Sequence, residues 1–351
     1  CPHQRNQKYV MWNTCSQRSH LRQSIYLLTI FLIGLLPTSC TEDVSLYVDG
    51  DSTPVVYCLL NPADSTQFIR LGRTFQAGEY DPTQIQVPDS TIWNIPHDVY
   101  MEEYQAGTKV NQYHFEPFFD VHKDTGLFPA NNLRLYSSAF CPVPGNDYRL
   151  YVYFPDLKKM VSGRITVHEL PKIVDPVPIS IRRINFEPGQ PFTIRWFPGT
   201  NTGVYQMIFR VHYRDSIPGY VEFHQADYVS GGLYNMEANL MQESNLGGPS
   251  FFTSMAAQIP AIPGVVREVT SVEFIMLSGG RDLGFLYRSD VERGNLFTNL
   301  ENYSNLVNGL GVFSSKVEQH IPNLMLAEVT LDLLARGETT KHLGFRDSKG
   351  Q

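Results

Sequence analysis

Long apolar runs are missing from this sequence. The longest, Ile25 to Leu36 (IYLLTIFLIGLL), holds twelve residues, whereas a helix needs about twenty to cross a bilayer. Positive charge is also scarce: 28 Lys and Arg stand against 35 Asp and Glu, and the net charge is −7. A chain this acidic lacks the footprint of a nucleic-acid binder, and anionic membrane surfaces should repel it. Cysteine is sparse, with 5 in 351 residues, and there is neither a Cys-x-x-Cys pair nor a Cys/His array at zinc spacing. No Gly-x-Ser-x-Gly elbow, Gly-x-Gly-x-x-Gly turn or P-loop occurs. Nothing in these patterns demands catalysis, so a non-enzymatic protein without cofactor or metal is expected.

What the sequence does have is short, alternating, aromatic-rich segments. Hydrophobic residues make up 42% and charged residues 18%, with 19 Tyr and 21 Phe, and the 23 Pro and 26 Gly are spread along the chain. Such a mixture favours strands joined by turns, and the length suits about two domains. Tyr148, Leu150, Val152 and Phe154 share one face of a strand with Arg149 on the other, and Val161, Ile165 and Val167 repeat the pattern. Further strand-like runs begin at Val55, Phe68, Val99, Val110 and Leu133. This predicts an antiparallel sandwich over 54–170. Pro171, Pro176 and Pro178 then read as a stiff spacer over 171–178.

A second β domain is expected over 179–351. Phe192, Ile194 and Trp196 alternate, a turn follows, and Tyr205, Met207, Phe209, Val211 and Tyr213 form one apolar face. A strand ending in Trp, then a turn and a strand opening with Tyr, resembles the start of a fibronectin type III-like sandwich. Trp196 is expected to close the core, with a sugar-stacking platform as the alternative. Short helical insertions are read at Ser250–Ile259 and Thr330–Leu343, with strands at Val272–Leu277 and Gly311–Val317. The fold class is therefore mainly β, two antiparallel immunoglobulin- or fibronectin-like sandwiches, the second with helical insertions.

Arg18, His20 and Arg22 precede the apolar run, and Thr38 and Ser39 stand before Cys40. This three-part layout reads as a secretory signal over 1–39, with Met11 a plausible start. Leu36-Pro37-Thr38-Ser39-Cys40 resembles a lipobox, although Pro37 stands where that pattern usually has Leu. The resemblance implies acylation of Cys40, a stable anchor once several chains are attached, and a tether over 40–53. Cleavage would lower the net charge from −7 to −11, because 1–39 carry Arg5, Lys8, Arg18 and Arg22 and no acidic residue. Thr41, Glu42 and Asp43 resemble the acidic surface-export signal of Bacteroidota lipoproteins; the plain alternative is a solvated linker. Cys58 and Cys141 remain as candidates for a disulfide, or as free thiols beside apolar strands.

Chemistry-bearing residues are few. Gly279-Gly280 and Asn308-Gly309-Leu310-Gly311 fit turns or bulges better than phosphate loops. His212 and Asp215 fall on opposite faces of a strand and cannot share a metal without a bend. His122 and Asp124 would share a face but have no identifiable third ligand. Asp49-Gly50-Asp51-Ser52 lacks the later ligands of a calcium loop and reads as tether.

Several segments together resemble an uncharacterised family of Bacteroidota outer-membrane lipoproteins, domain of unknown function 4249. They are Val55–Pro62 with Asp64–Gln67 and Arg70, Ile194–Trp196 with Asn201–Tyr205, Gly279-Gly280 with Asp282-Leu283, and Asn308–Ser315. Members are often encoded beside TonB-dependent transporters. The resemblance implies an outer-membrane protein on the cell surface that helps such a β-barrel capture nutrients. A periplasmic orientation is the alternative address. A structural or adhesive surface protein, and a hydrolase with its site in the C-terminal region, are the alternative functions. A concave cluster of Tyr220, Phe223, Tyr228 and Tyr234 would favour ligand capture, and a flat apolar patch a protein partner.

Overall fold

Strand alternation is carried into the structure almost residue for residue. Tyr148, Leu150, Val152 and Phe154 are fully buried, while the residues between them are half-exposed. The structure, a computed structural model, describes residues 52–74, 92–118, 135–177, 183–217, 219–234, 240–293 and 303–351. The signal, Cys40, Thr41, Glu42, Asp43, His122 and Asp124 lie outside these residues, as does most of Asp49–Ser52.

The chain is mainly β. Its first half supplies β1 (Pro54–Leu60), β2 (Thr66–Arg73), β3 (Asp98–Gln105), β4 (Thr108–His114), β5 (Glu116–Phe118), β6 (Leu135–Ala139), β7 (Asp147–Phe154) and β8 (Lys159–Thr166). Next come β9 (Lys172–Asp175), β10 (Phe192–Phe197), β11 (Thr202–Ile217), β12 (Tyr220–Val229), β13 (Leu233–Tyr234) and β14 (Gln242–Leu246). Helix α1 (Gly248–Gln258), β15 (Val266–Gly280), α2 (Arg281–Arg293), β16 (Leu306–Val307), β17 (Leu310–Leu324) and α3 (Glu328–Arg336) complete the order. No helix among the described residues is long and apolar enough to cross a membrane.

Two cores form, but one sheet serves both. A nine-stranded sheet runs β12-β11-β15-β17-β1-β2-β6-β5, with β13 beside β11. The five-stranded sheet β16-β8-β7-β3-β4 shares one core with β1 and β2. The three-stranded sheet β14-β10-β9, with α1 and α3, shares the other with β11 and β15. The junction is β17: Leu310–Ser315 pair in parallel with β1, and Lys316–Leu324 pair antiparallel with β15. Phe313 therefore enters the first core, and Ile321 and Leu324 enter the second. The large sheet thus crosses the boundary expected between 54–170 and 179–351.

The expected spacer over 171–178 holds β9, an antiparallel partner of β10. Pro171 and Pro176 flank it, and β9 is an edge strand, a place where a sheet tolerates missing N–H donors. The helix expected at Ser250–Ile259 is present as α1. That over Thr330–Leu343 breaks after Arg336 and resumes as a 3-10 turn at Lys341–Leu343. Helix α2 has no counterpart in the sequence reading. Over residues 281–289 its buried stripe is narrow, and it contains Gly284, where a Cβ would lie 2.6 Å from the Gly203 carbonyl oxygen. That close approach requires the glycine which hides the helix from propensity.

Trp196 is fully buried against Tyr205, 5.7 Å between ring centroids, so it closes the core and offers no platform. Cys58 is buried and Cys141 exposed, and both are free, so the candidate disulfide does not form. Burial pushes the Cys58 thiol well up from its ordinary range, as expected for an inert core cysteine.

Candidate functional site

The family-motif residues converge on the junction at β17. Gly280 ends β15 where a Cβ would meet the Ser314 and Ser315 hydroxyls at 2.9 and 3.0 Å. Ser314 Oγ accepts from the Leu283 N–H at 3.2 Å, tying the start of α2 to β17. Gly309 passes so close to β8 that a Cβ would stand 2.7 Å from Val161 Cγ1. Asn308, at φ 60°, donates to the Met160 carbonyl at 3.0 Å. Gly311, at φ +115°, lies against the Val56 backbone. Asp282 accepts from the Tyr303 hydroxyl at 2.6 Å. Gly279, Gly280, Asp282, Asn308, Gly309 and Gly311 thus let strands, helix and turn approach closely.

Behind Gly280 lies a buried polar cluster that the sequence reading missed. His168 Nδ1 lies 2.6 Å from Ser315 Oγ, and Nε2 lies 3.0 Å from Ser278 Oγ. His168 and Ser315 are fully buried, and burial lowers the imidazole from 6.5 to about 4. A Ser–His contact is the raw material of nucleophilic catalysis, but this one is sealed from solvent. It binds β15, β17 and the chain after β8 to one another. Beside it, Arg164, Thr166, Asn201, Arg281 and Asp282 rim a hollow of about 250 Å³.

A larger cleft, about 380 Å³, opens at one end of the first core. Its floor holds Val99, Phe115 and Tyr136, and its rim holds His97, Asp98, His114 and Glu116. His97 is locked on both nitrogens: Nδ1 lies 2.7 Å from the Ile95 carbonyl, and Nε2 lies 2.5 Å from the Tyr136 hydroxyl. A carbonyl can only accept, so Nδ1 carries a proton, and Nε2 is held against the Tyr136 hydroxyl. The rim carboxylates of Asp98 and Glu116 supply acceptors above a largely apolar floor. His97 was not singled out from sequence, because its partner Tyr136 is 39 residues away.

The remaining candidates are scattered. His212 lies on the outer face of β11, 3.7 Å from Glu273, while Asp215 points inward to Arg267. The opposite-face expectation holds. Tyr220 and Phe223 are exposed and Tyr228 is buried against Ser250. Tyr234 lies under Arg288, so the four do not form one concave cluster. No group of three or more His, Cys, Asp or Glu that could hold a metal occurs among the described residues.

The model of a domain of unknown function, DUF4249, matches residues 41–320, and the chain belongs to that family. No curated protein matches it. Among solved structures, it is similar to the C-terminal globular domain of an oligosaccharyltransferase from Pyrococcus abyssi, at 11% identity and a TM-score of 0.18. That alignment covers 80% of this chain and 51% of the other, so the chain spans about half that structure's length. A likeness at that level carries no argument.

Proposed function

We propose that this member of the DUF4249 family is an outer-membrane lipoprotein, acylated at Cys40 and carried to the cell surface by Thr41-Glu42-Asp43. On this reading it binds its target without transforming it, as the accessory partner of a TonB-dependent β-barrel in nutrient capture. The cleft around His97 and Tyr136 supports the binding role. Its locked imidazole, acceptor rim and apolar floor suit a hydroxyl-rich ligand with one apolar face, because small-molecule sites combine an apolar lining with a few placed polar groups. The fibronectin type III-like reading of the second core belongs to the same proposal, supported by the Trp196–Tyr205 pair.

A second reading, a structural or adhesive surface protein, is favoured by the sheet that runs unbroken through both cores. Protease shaving of intact cells tests the address, comparing the unaltered chain with Cys40→Ala and with Glu42→Gln/Asp43→Asn. Shaving of the unaltered chain, with the variants protected or released, is the expected result. A membrane-bound chain that stays protected overturns the surface reading. Detergent extraction should then co-purify a large β-barrel, and a reproducibly solitary chain would leave only the structural role. If uptake falls in His97→Ala and Tyr136→Phe strains, the cleft is the capture site; unchanged uptake assigns capture elsewhere.

A further inference from the structure

Strand β12 ends the large sheet, and among the described residues no strand lies beyond it. One side chain seals part of its edge. Gln258 Oε1 accepts from the Asp227 N–H at 3.1 Å, and Gln258 Nε2 donates to the Asp227 carbonyl at 2.7 Å. The carboxamide stands in for a neighbouring strand, and it reveals that Asp227 turns its backbone groups away from β11. Those directions alternate along a strand, and β12 pairs with β11 without a register break. Gln225, Phe223 and Val221 therefore present their N–H and C=O groups to the same open edge.

Sheet edges are ordinarily blunted by Lys, Pro or a cover. Edge strand β4 carries Lys109 and edge strand β5 carries Pro117. Val221–Gln225 has neither, and Phe223 at its centre is 73% exposed. On the other face of this segment, Glu222 and His224 lie 3.6 Å apart.

We propose that this edge pairs with the same edge of a second copy, antiparallel, with Phe223 on the two-fold axis. The register follows from charge and from the Gln258 cap. An axis at Glu222 sets two carboxylates against each other, and one at His224 or Gln225 drives the strand into the capped Asp227. An axis at Val221 leaves Glu222 facing Tyr220. Only the axis at Phe223 places Glu222 opposite His224 of the second copy, twice, while staying clear of Asp227. Phe223 then exchanges both hydrogen bonds with its counterpart, and Val221 does so with Gln225. Directly opposed side chains are the unit of sheet stabilisation, and a two-fold interface must be self-complementary in this way.

Cysteine scanning and sedimentation of the full chain in mild detergent test the pairing. Hydrogen-bonded antiparallel partners lie about 5.5 Å apart at Cα, within the span of a disulfide. Under mild oxidation Phe223→Cys should give a linked dimer on the order of tenfold above the unaltered chain. Val221→Cys or Gln225→Cys alone should not, since their copies sit about 13 Å apart, but the double variant should link. Phe223→Pro removes only an edge-facing N–H, which a folded edge strand tolerates; it should keep the circular dichroism spectrum and weaken association on the order of tenfold. A chain that sediments as a monomer at every concentration overturns the proposal. So does linking at 221 or 225 as efficient as at 223, or a Phe223→Pro variant that associates unchanged.

Discussion

Asp215 and Arg267 form a bidentate ion pair inside the second core, Nε to Oδ1 at 3.0 Å and Nη2 to Oδ2 at 3.1 Å. They are 6% and 1% exposed. The third guanidinium nitrogen donates to the Leu343 carbonyl at 2.7 Å. The Arg267 backbone is bonded on both sides as well, to the Gly344 carbonyl and the Arg346 N–H, each at 2.8 Å. This one residue therefore joins β11, β15 and the C-terminal segment, and Phe345 packs on Tyr213 beside it.

Breaking a buried pair strands a charge, at a cost of roughly 3–5 kcal/mol. Arg267→Met should cost about that much in urea denaturation, and it should make residues after Arg336 the first cut in limited proteolysis. The paired change Asp215→Leu/Arg267→Met removes both charges and should recover much of the loss. If the double variant is as unstable as the single one, the ion pair is not the source of the stability.

His168 gives the fold a pH dependence whose direction is fixed. Its folded pKa, lowered to about 4 by burial, lies below the ordinary 6.5. Between those values the unfolded chain binds the proton and the folded chain does not, so stability falls as pH drops through that window. The loss should total about 3 kcal/mol by pH 4. His168→Gln should remove this part of the decline, read from denaturation midpoints at pH 7.5, 5.5 and 4.5. A parallel decline in the variant would refute the assignment.

The glycines at the junction should rank by what a methyl group would meet. At Gly280 it meets two serine hydroxyls, which can rotate at the expense of their bonds to Leu283 and His168; a cost of about 1–3 kcal/mol is expected for Gly280→Ala. At Gly311 it would lie 2.0 Å from the Val56 carbonyl oxygen at φ +115°. Backbone cannot rotate away, and the left-handed conformation adds strain. Gly311→Ala should therefore be the more damaging of the two in thermal unfolding, and the reverse order would contradict the close-approach account.

What was legible in the sequence was local. Alternation at Tyr148–Phe154 and Phe192–Trp196 gave strands and their buried faces, and the Trp196–Tyr205 pair marked a core. The shared sheet was not legible, because it depends on Leu310–Ser315 lying parallel to β1, some 250 residues earlier along the chain and with no periodicity to announce it. The candidate site was equally hidden. His97–Tyr136 and His168–Ser315 are contacts between distant residues, each ordinary in its own neighbourhood. Gly280 and Gly311 were visible as unusual, but their reason, contact with Ser314 and Val56, exists only once the strands have met.

Glu103 offers a test of the first core. It is 2% exposed, and its donors are all neutral: Asn111 at 2.8 Å and Tyr113 at 2.7 Å on one oxygen, Asn146 at 2.7 Å and Tyr148 at 2.9 Å on the other. Burial pushes its carboxyl upward, but the four hydrogen bonds outweigh it and hold the group below its ordinary range. The folded pKa is thus the lower one, so this contribution is present above the unfolded glutamate pKa and is lost as pH falls through the folded value. In Glu103→Gln an NH₂ replaces one acceptor and leaves buried donors facing a donor. Unmade buried bonds cost about 1–3 kcal/mol each, so a loss of about 2–4 kcal/mol is expected at neutral pH. Adding Tyr113→Phe removes one stranded donor and should restore part of it. A double-mutant cycle that is simply additive would mean that the carboxylate and the phenol are not coupled, and the network would then be no more than packing.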